Sequence, residues 1–98
     1  MHKATDGEAT LARWREEGDA VLARRGEVGV ARPEQVAGLS GMQVFEAMLA
    51  GRLPAPPIGP TLDFVLVHVE PGFAVFQGRP GFAHYNPLGT VHGGWFAT

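Results

Sequence analysis

The sequence predicts a small α+β fold, because two segments with helical periodicity precede a segment whose apolar residues alternate. Residues 5–25 and 40–50 carry apolar side chains at helical spacing, whereas residues 61–79 carry them with a period of two. A Pro-Gly step divides this second part into the two strands of a hairpin. The chain has 98 residues, so it is one small domain near the size at which a single hydrophobic core is only just sufficient.

Composition and charge exclude several classes of protein. A hydrophobic content of 45% and a charged content of 18% are those of a globular chain. The net charge of −2 gives no electrostatic basis for binding nucleic acid or an anionic membrane surface. The sequence has no cysteine, which excludes a disulfide framework, and no apolar run approaches the ~20 residues of a membrane-spanning helix. We therefore expect a soluble cytoplasmic protein.

Residues 5–25 are predicted to form an amphipathic helix. Thr5 and Glu8 have the spacing of a capping box, and Gly26 is a suitable residue to end the helix. One face carries the apolar side chains Leu11, Trp14, Val21 and Leu22. A partner-binding helix and a solvated extension with a loosely docked apolar stripe both fit this pattern, and the second is the more common arrangement at a chain terminus.

The chain is divided into a helical extension, residues 1–30, and a domain that spans residues 31–98. Residues 27–38 are predicted to be a linker, because the residue before a proline favours extended backbone and Arg32 precedes Pro33.

A second helix is predicted to begin after Ser40, which forms a capping box with Gln43, and to end at Gly51. Its apolar face carries Met42, Phe45, Met48 and Leu49, a stripe that is interpreted as core packing although it is also suited to flank a ligand pocket.

Residues 53–60 contain four prolines and are predicted to be an extended connector over the surface. From Thr61 a strand follows with apolar residues on both faces, and the turn at residues 70–73 leads into a return strand over residues 73–79. His68 stands alone in the first strand and is interpreted as an edge or partly buried residue rather than a ligand.

The loop at residues 84–95 contains the most unusual polar residues of the chain. Asn86 and His92 lie six residues apart, and the Gly93 and Gly94 pair follows at the predicted start of a helix. Glycine allows the backbone to approach a ligand closely, so these residues are the candidate site.

Three chemistries are weighed for this loop beside a purely structural glycine-rich turn. Metal binding by His84 and His92 is disfavoured, because the 28 residues that close the chain contain no Asp, Glu or Cys to complete a ligand set. Phosphate binding at Gly93 and Gly94 lacks the spacing of the known phosphate loops. Stabilisation of an oxyanion by a backbone N–H at the helix start is the interpretation that gives every unusual residue of the loop a role, Asn86 included.

Residues 84–94 resemble the signature of the hotdog-fold thioesterases of the phenylacetic-acid-degradation (PaaI) type, with the sequence His84-Tyr85-Asn86-Pro87-Leu88-Gly89-Thr90-Val91-His92-Gly93-Gly94. The resemblance includes the helix at 40–50 and the segments 53–58 and 69–76, and it covers residues 32–98. The N-terminal extension is not part of it.

This resemblance implies a hotdog fold, in which a sheet wraps around a long central helix. The chain would contain the N-terminal helices, the hairpin and the start of that helix. The family pairs as homodimers or homotetramers with active sites at the subunit interface, and it hydrolyses acyl-CoA thioesters without a cofactor or a metal.

The resemblance also implies roles for four residues. Gly93 would donate its backbone N–H to the thioester carbonyl oxygen, and Gly94 would contribute to substrate binding. His92 would orient the carbonyl or the thiol group, and Asn86 would position water or the acyl group.

The chain departs from the family in one respect, because the family's catalytic carboxylate lies about two helical turns after Gly93, past Thr98. We therefore expect a truncated or partial thioesterase domain that is inactive by itself, and poorly stable because both hairpin edges are unpaired. The alternatives are a non-catalytic acyl-CoA-binding module, an interaction module that completes its sheet with a partner strand, and a small α+β domain with a structural glycine-rich end.

Overall fold

The computed structural model describes residues 5–98. The first four residues of the predicted extension lie outside this range. The predicted α+β class is confirmed: helices surround one antiparallel hairpin. The elements are α1 (Asp6–Arg24), α2 (Pro33–Val36), α3 (Gly41–Leu49), α4 (Ile58–Leu62), β1 (Phe64–Glu70), β2 (Phe73–Gly78), a 3-10 turn (Phe82–His84) and α5 (Gly93–Ala97).

Helix α1 begins as its sequence predicts. The Thr5 hydroxyl oxygen accepts a hydrogen bond from the Glu8 N–H at 3.0 Å, which satisfies one of the free donors of the first turn. The helix ends at Arg24, and Arg25 caps it, one residue before the predicted stop at Gly26.

The extension is docked on the hairpin through the middle of α1. Gly18 and Val21 are buried, and a methyl group on Gly18 would lie 2.5 Å from the Gln77 side-chain oxygen of β2. Position 18 therefore faces the tip of the Gln77 side chain. An exposed ion pair, Arg79 to Asp19 at 3.0 Å, links α1 to the residue that follows β2.

The predicted linker at residues 27–38 is wrong in part, because it contains α2. Arg32 keeps the extended backbone expected before proline, with ψ 151°, and Pro33 occupies the first helical position. Proline is well suited to that position because the N–H that it lacks would have no partner there. The Gln35 side chain then accepts the Arg32 N–H at 2.8 Å.

The segment after α1 pairs with the connector that follows α3. The Gly29 N–H donates to the Ala55 carbonyl oxygen and the Ala55 N–H to the Glu27 carbonyl oxygen, both at 2.9 Å. Gly51 has a φ of +77°, and a methyl group on it would collide with the Arg24 carbonyl oxygen. The end of α1 thus rests directly on the turn that ends α3.

Helix α3 confirms its predicted caps. The Ser40 hydroxyl accepts the Gln43 N–H at 3.1 Å, and the Gln43 side-chain oxygen accepts the Ser40 N–H at 2.8 Å. Ala47 of α3 and Leu53 after it are buried, and α3 packs on β1.

The prediction of an extended connector at residues 53–60 followed by a strand from Thr61 is wrong at its C-terminal end. Residues Ile58–Leu62 form α4. Pro60 lies in the first turn of this helix, where no backbone N–H is required, so it does not oppose the helical conformation. Asp63 ends α4 with a left-handed φ of 52°, and the strand begins one residue later.

The hairpin is confirmed. Gly72 has φ +75° in the predicted Pro-Gly turn, and Glu70 is paired with Phe73. A bulge falls between Leu66 and His68, so the side-chain alternation of β1 shifts at its middle. The His68 ring is half exposed, as predicted, and its Nε2 lies 3.1 Å from a Glu70 carboxylate oxygen.

The hydrophobic core is small. Among the described residues the buried apolar side chains are Val21, Ala47 and Leu53, and none is completely buried. Within residues 5–98 the sheet has two strands only, so the outer edges of β1 and β2 have no strand partner. Both observations agree with the expectation that this fold has little stability of its own.

Candidate functional site

The candidate site begins as a closed loop between the 3-10 turn and α5. The Asn86 N–H donates to the Thr90 carbonyl oxygen at 2.8 Å, and the His92 N–H donates to the His84 carbonyl oxygen at 2.8 Å. Tyr85 and Val91 form an isolated antiparallel bridge between these two bonds. The loop therefore delivers His92 to a fixed place at the start of α5.

The Asn86 side chain is used within the loop. Its oxygen accepts the N–H groups of Leu88 at 2.9 Å and Thr90 at 3.2 Å, and its amide nitrogen donates to the Thr90 hydroxyl at 2.8 Å. Gly89 completes the turn with φ +85°. Within residues 5–98 one N–H of the Asn86 amide has no partner, so the contribution of Asn86 to the site is to shape the loop and to offer a single donor.

His92 is the N-cap of α5. Its Nδ1 accepts the Gly94 N–H at 2.8 Å, and its Nε2 has no hydrogen-bond partner in the described part of the chain. A methyl group on Gly94 would lie 3.0 Å from Nδ1, so the absence of a side chain there makes room for the cap. Gly94 thus supports His92 through its backbone and leaves no donor of its own for a ligand.

The Gly93 N–H is the free donor of the site. It is the first N–H of α5, where no intrahelical acceptor exists, and it has no hydrogen-bond partner among residues 5–98. Gly93 is exposed, and a methyl group on its Cα would meet nothing within 4 Å. This N–H and the free side of the His92 ring are the groups available to an acceptor atom.

Two residues that the sequence interpretation did not place in the site hold it against α4. The Trp95 ring N–H donates to the Leu62 carbonyl oxygen at 2.7 Å, and the His84 Nε2 lies 3.1 Å from the Thr61 carbonyl oxygen. Both carbonyls belong to the last turn of α4 and have no partner inside the helix. The C-terminal segment therefore caps α4, and this anchors the start of α5.

Trp95 also packs on the hairpin. A methyl group on Gly78 of β2 would lie 2.5 Å from two ring carbons of Trp95, so the ring covers the glycine directly. Phe96 follows and remains largely exposed, although its ring centroid is 5.2 Å from that of Trp95. The signal for this contact in the sequence is the lack of a side chain at position 78, at the end of a strand with four apolar residues.

The His84 ring is unsuited to metal binding in this conformation. Its Nδ1 accepts the Gly81 N–H at 2.9 Å and its Nε2 contacts the Thr61 carbonyl oxygen, so both nitrogens are engaged. The described residues contain no group of three or more side chains that could hold a metal ion. No hydrogen bond of Asn86, His92 or Gly93 within residues 5–98 involves a carboxylate.

The chain matches no protein-family model, and comparison with curated proteins and with solved structures gives no match either. No helix in the described part of the chain combines the length and the apolar character that crossing a bilayer requires.

Proposed function

We propose that this chain carries the oxyanion-binding part of a hotdog-type acyl-CoA thioesterase of the PaaI class. The observation that supports the proposal is the Gly93 N–H, which is unpaired among the described residues and belongs to an exposed residue at the start of α5. The first turn of a helix favours negative charge through its unpaired N–H donors. Such a donor stabilises the oxyanion that forms when water attacks a thioester carbonyl.

The neighbouring residues take the supporting roles. His92 lies one residue before the donor and directs its free ring nitrogen away from the helix cap, where it can contact the carbonyl or the thiol side of the thioester. The Gly94 N–H donates to the His92 ring and holds it in place. Gly94 therefore contributes to substrate binding only through His92. Asn86 shapes the loop and has one amide N–H for water or the acyl group.

Hydrolysis requires more than an oxyanion donor. Water must lose a proton as it attacks, and then the tetrahedral intermediate must expel the thiolate, which takes up a proton. None of the three site residues is hydrogen-bonded to a carboxylate in the described chain. We therefore expect the 98-residue chain to bind acyl-CoA and to hydrolyse it no faster than buffer does. The proposal includes a cytoplasmic location, no cofactor, and the homodimer or homotetramer that the resemblance implies.

The test deletes the donor and leaves the helical conformation possible. In Gly93→Pro the N–H is lost at the first position of α5, which is the helical position that tolerates proline best. His92 has the extended backbone that a residue before proline requires, with ψ 134°. The matched control is Gly41→Pro, at the first position of α3 after Ser40, whose ψ of 164° is also extended.

Binding of a non-hydrolysable 2-oxoalkyl-CoA, a ketone analogue that keeps a carbonyl oxygen to accept the Gly93 N–H, is measured by calorimetry for both variants and for the unchanged chain. The expected result is a loss of about 2- to 10-fold in affinity for Gly93→Pro, equivalent to one neutral hydrogen bond of about 0.5–1.5 kcal/mol. Gly41→Pro is expected to bind as the unchanged chain does. Equal affinity for Gly93→Pro and the unchanged chain, or no binding at all, would contradict the proposal.

A second function, a module that completes its sheet with a strand from a partner, is supported by one observation. The outer edges of β1 and β2 have no strand partner within residues 5–98, and strand addition uses such edges. A co-purified partner that slows hydrogen exchange at alternate β2 amides without affecting Gly93 would favour this function over thioester binding.

A further inference from the structure

A small apolar pocket, here called the inner pocket, lies where α1, α3, α4 and the hairpin meet, and its volume is about 90 Å³. The side chains that form its apolar lining include Val21, Phe45, Leu49, Phe64, Leu66 and Phe76. No residue of the loop at 84–95 lines it, and α1 lies outside the part of the chain that resembles the thioesterases. The inner pocket is therefore separate from the site proposed above.

Two aromatic walls of the inner pocket are incompletely covered by the protein. Phe45 of α3 is 42% exposed and Phe76 of β2 is 55% exposed, although folding normally buries large apolar residues. Met48 also lines the pocket, and the flexible methionine side chain adapts to the shape of a neighbouring group. An apolar group that enters the pocket would remove part of this aromatic surface from water.

Arg25 is the one charged residue among the described residues that line the inner pocket. It is exposed, and its side chain has no hydrogen bond or ion pair within residues 5–98. It also lines the larger groove between α1 and the hairpin, which has a volume of about 690 Å³, so it lies where the two cavities adjoin. The inner pocket thus has an apolar interior and a free cation at its border with the groove.

The backbone that carries Arg25 is held against the turn that ends α3. A methyl group on Gly51 would collide with the Arg24 carbonyl oxygen, and a methyl group on Gly26 would lie 2.9 Å from the Gly51 carbonyl oxygen. The residues before and after Arg25 are therefore both in close contact with one turn. Because this fixes the base of the Arg25 side chain, less freedom is lost when a ligand binds its guanidinium group.

The charges and the volume decide the class of ligand. The described lining of the inner pocket contains Arg25 and no acidic residue, which disfavours a cation. The adjoining groove is lined by three arginines and two acidic residues, so its net charge does not oppose an anion. A planar guanidinium group matches the two oxygens of a carboxylate. The pocket volume equals that of about three water molecules of about 30 Å³ each, which suits a tail of about three or four carbon atoms.

We propose that the inner pocket binds a short aliphatic monocarboxylate, with its tail among the apolar side chains and its carboxylate paired with Arg25. This proposal does not depend on the binding of a thioester at Gly93.

NMR titration of the ¹⁵N-labelled chain with butyrate tests the pocket, with sodium chloride at the same ionic strength as the blank. Saturable shifts are expected at the amides of Val21, Leu49 and Leu66, and not at Gly93. Affinity is expected to rise about fourfold per methylene from acetate to butyrate and to level off once the tail fills the pocket. No saturable shift, shifts confined to residues 84–95, or an affinity that does not depend on tail length would overturn the proposal.

The role of the charge is tested with butylamine, which has the same tail and the opposite charge. It is expected to bind at least about 10-fold more weakly than butyrate, because attraction to Arg25 becomes repulsion. Equal affinities of the two ligands would refute the pairing with Arg25. This comparison uses the unchanged chain, so it does not depend on how a substitution affects folding.

Arg25→Gln gives a second test of the charge. It is expected to weaken butyrate binding about 3- to 10-fold, between the effect of an exposed ion pair and that of a hydrogen bond to a charged group. The matched control is Arg24→Gln, which removes the same charge from an exposed neighbour that lines neither cavity and is expected to bind butyrate as the unchanged chain does. Unchanged affinity in Arg25→Gln, or an equal loss in both variants, would contradict the proposal.

Discussion

Replacing Gly51 with alanine tests the contact between the end of α1 and the turn after α3. Gly51 has φ +77°, and the added methyl group would collide with the main-chain carbonyl oxygen of Arg24. That oxygen belongs to the last residue of α1 and cannot rotate away as the tip of a long side chain can. The substitution therefore strains the backbone and also pushes α1 off the turn.

The control for this substitution is Gly38→Ala. Gly38 has nearly the same backbone angle, φ +79°, but a methyl group there meets nothing within 4 Å. The left-handed conformation costs alanine about 1–2 kcal/mol, and the loss of freedom in the unfolded chain returns about 0.4–1 kcal/mol. We expect Gly38→Ala to lower the free energy of unfolding by about 1 kcal/mol.

Gly51→Ala has the same backbone term and a steric term in addition. Forcing extra atoms into a packed contact costs about 1–3 kcal/mol. The expected total is about 2–4 kcal/mol, from a stability that for a chain of this length is about 5–15 kcal/mol at most.

Urea unfolding followed by circular dichroism measures both variants, at one protein concentration because association would change the apparent stability. The midpoint of Gly51→Ala is expected to fall about 1 M below that of Gly38→Ala. If the two free energies of unfolding agree within about 0.5 kcal/mol, the contact between Arg24 and position 51 does not exist in solution.

Two further predictions concern α3 and the anchor of the candidate site. Ser40→Ala removes the cap of α3 and should lower the free energy of unfolding by about 1 kcal/mol in urea, with Ser40→Asp close to the unchanged chain; equal loss in both variants would contradict a capping role. Trp95→Phe leaves the Leu62 carbonyl oxygen without its donor, at a cost of about 1–3 kcal/mol. This cost should appear as faster hydrogen exchange of the α5 amides, while Phe96→Leu, which changes a largely exposed ring, leaves their exchange unchanged. Unchanged exchange in Trp95→Phe would show that the Trp95 bond does not anchor α5.

Features that depend on close neighbours in the sequence were predicted. The caps at Thr5 and Ser40 join residues three apart, and the turn at Gly72 needs only its own Pro-Gly step. These signals act within one turn of chain, so tertiary packing has little opportunity to override them.

The errors have a common cause, since proline was interpreted only as a residue that prevents helices. Pro33 and Pro60 both lie in the first turn of a short helix, where proline is tolerated. Because α4 was not predicted, the carbonyl oxygens that contact His84 and Trp95 were not predicted either. The Thr61 and Leu62 carbonyls were expected in a strand ladder, whereas they are unpaired at a helix end and bind the C-terminal segment.

The docking of α1 could not be predicted from the sequence, for a different reason. Periodicity shows which face of a helix is apolar but not what that face contacts. The contact depends on Gly18 and Gln77, which are far apart in the chain. The use of Asn86 within its own loop, in contrast, had a signal, because asparagine followed by proline and glycine is typical of a turn closed by the side chain.

The cap of α5 has a consequence for the proton on the His92 ring. A backbone N–H can only donate, so the Nδ1 that receives the Gly94 N–H must present a lone pair. In the neutral ring the proton is then on Nε2, the nitrogen that faces the open side of the site. In this tautomer His92 offers a donor to an incoming ligand and has no basic nitrogen left to deprotonate water. The ring is therefore suited to assist the Gly93 N–H in holding a carbonyl oxygen, and the base of any hydrolysis must come from another group.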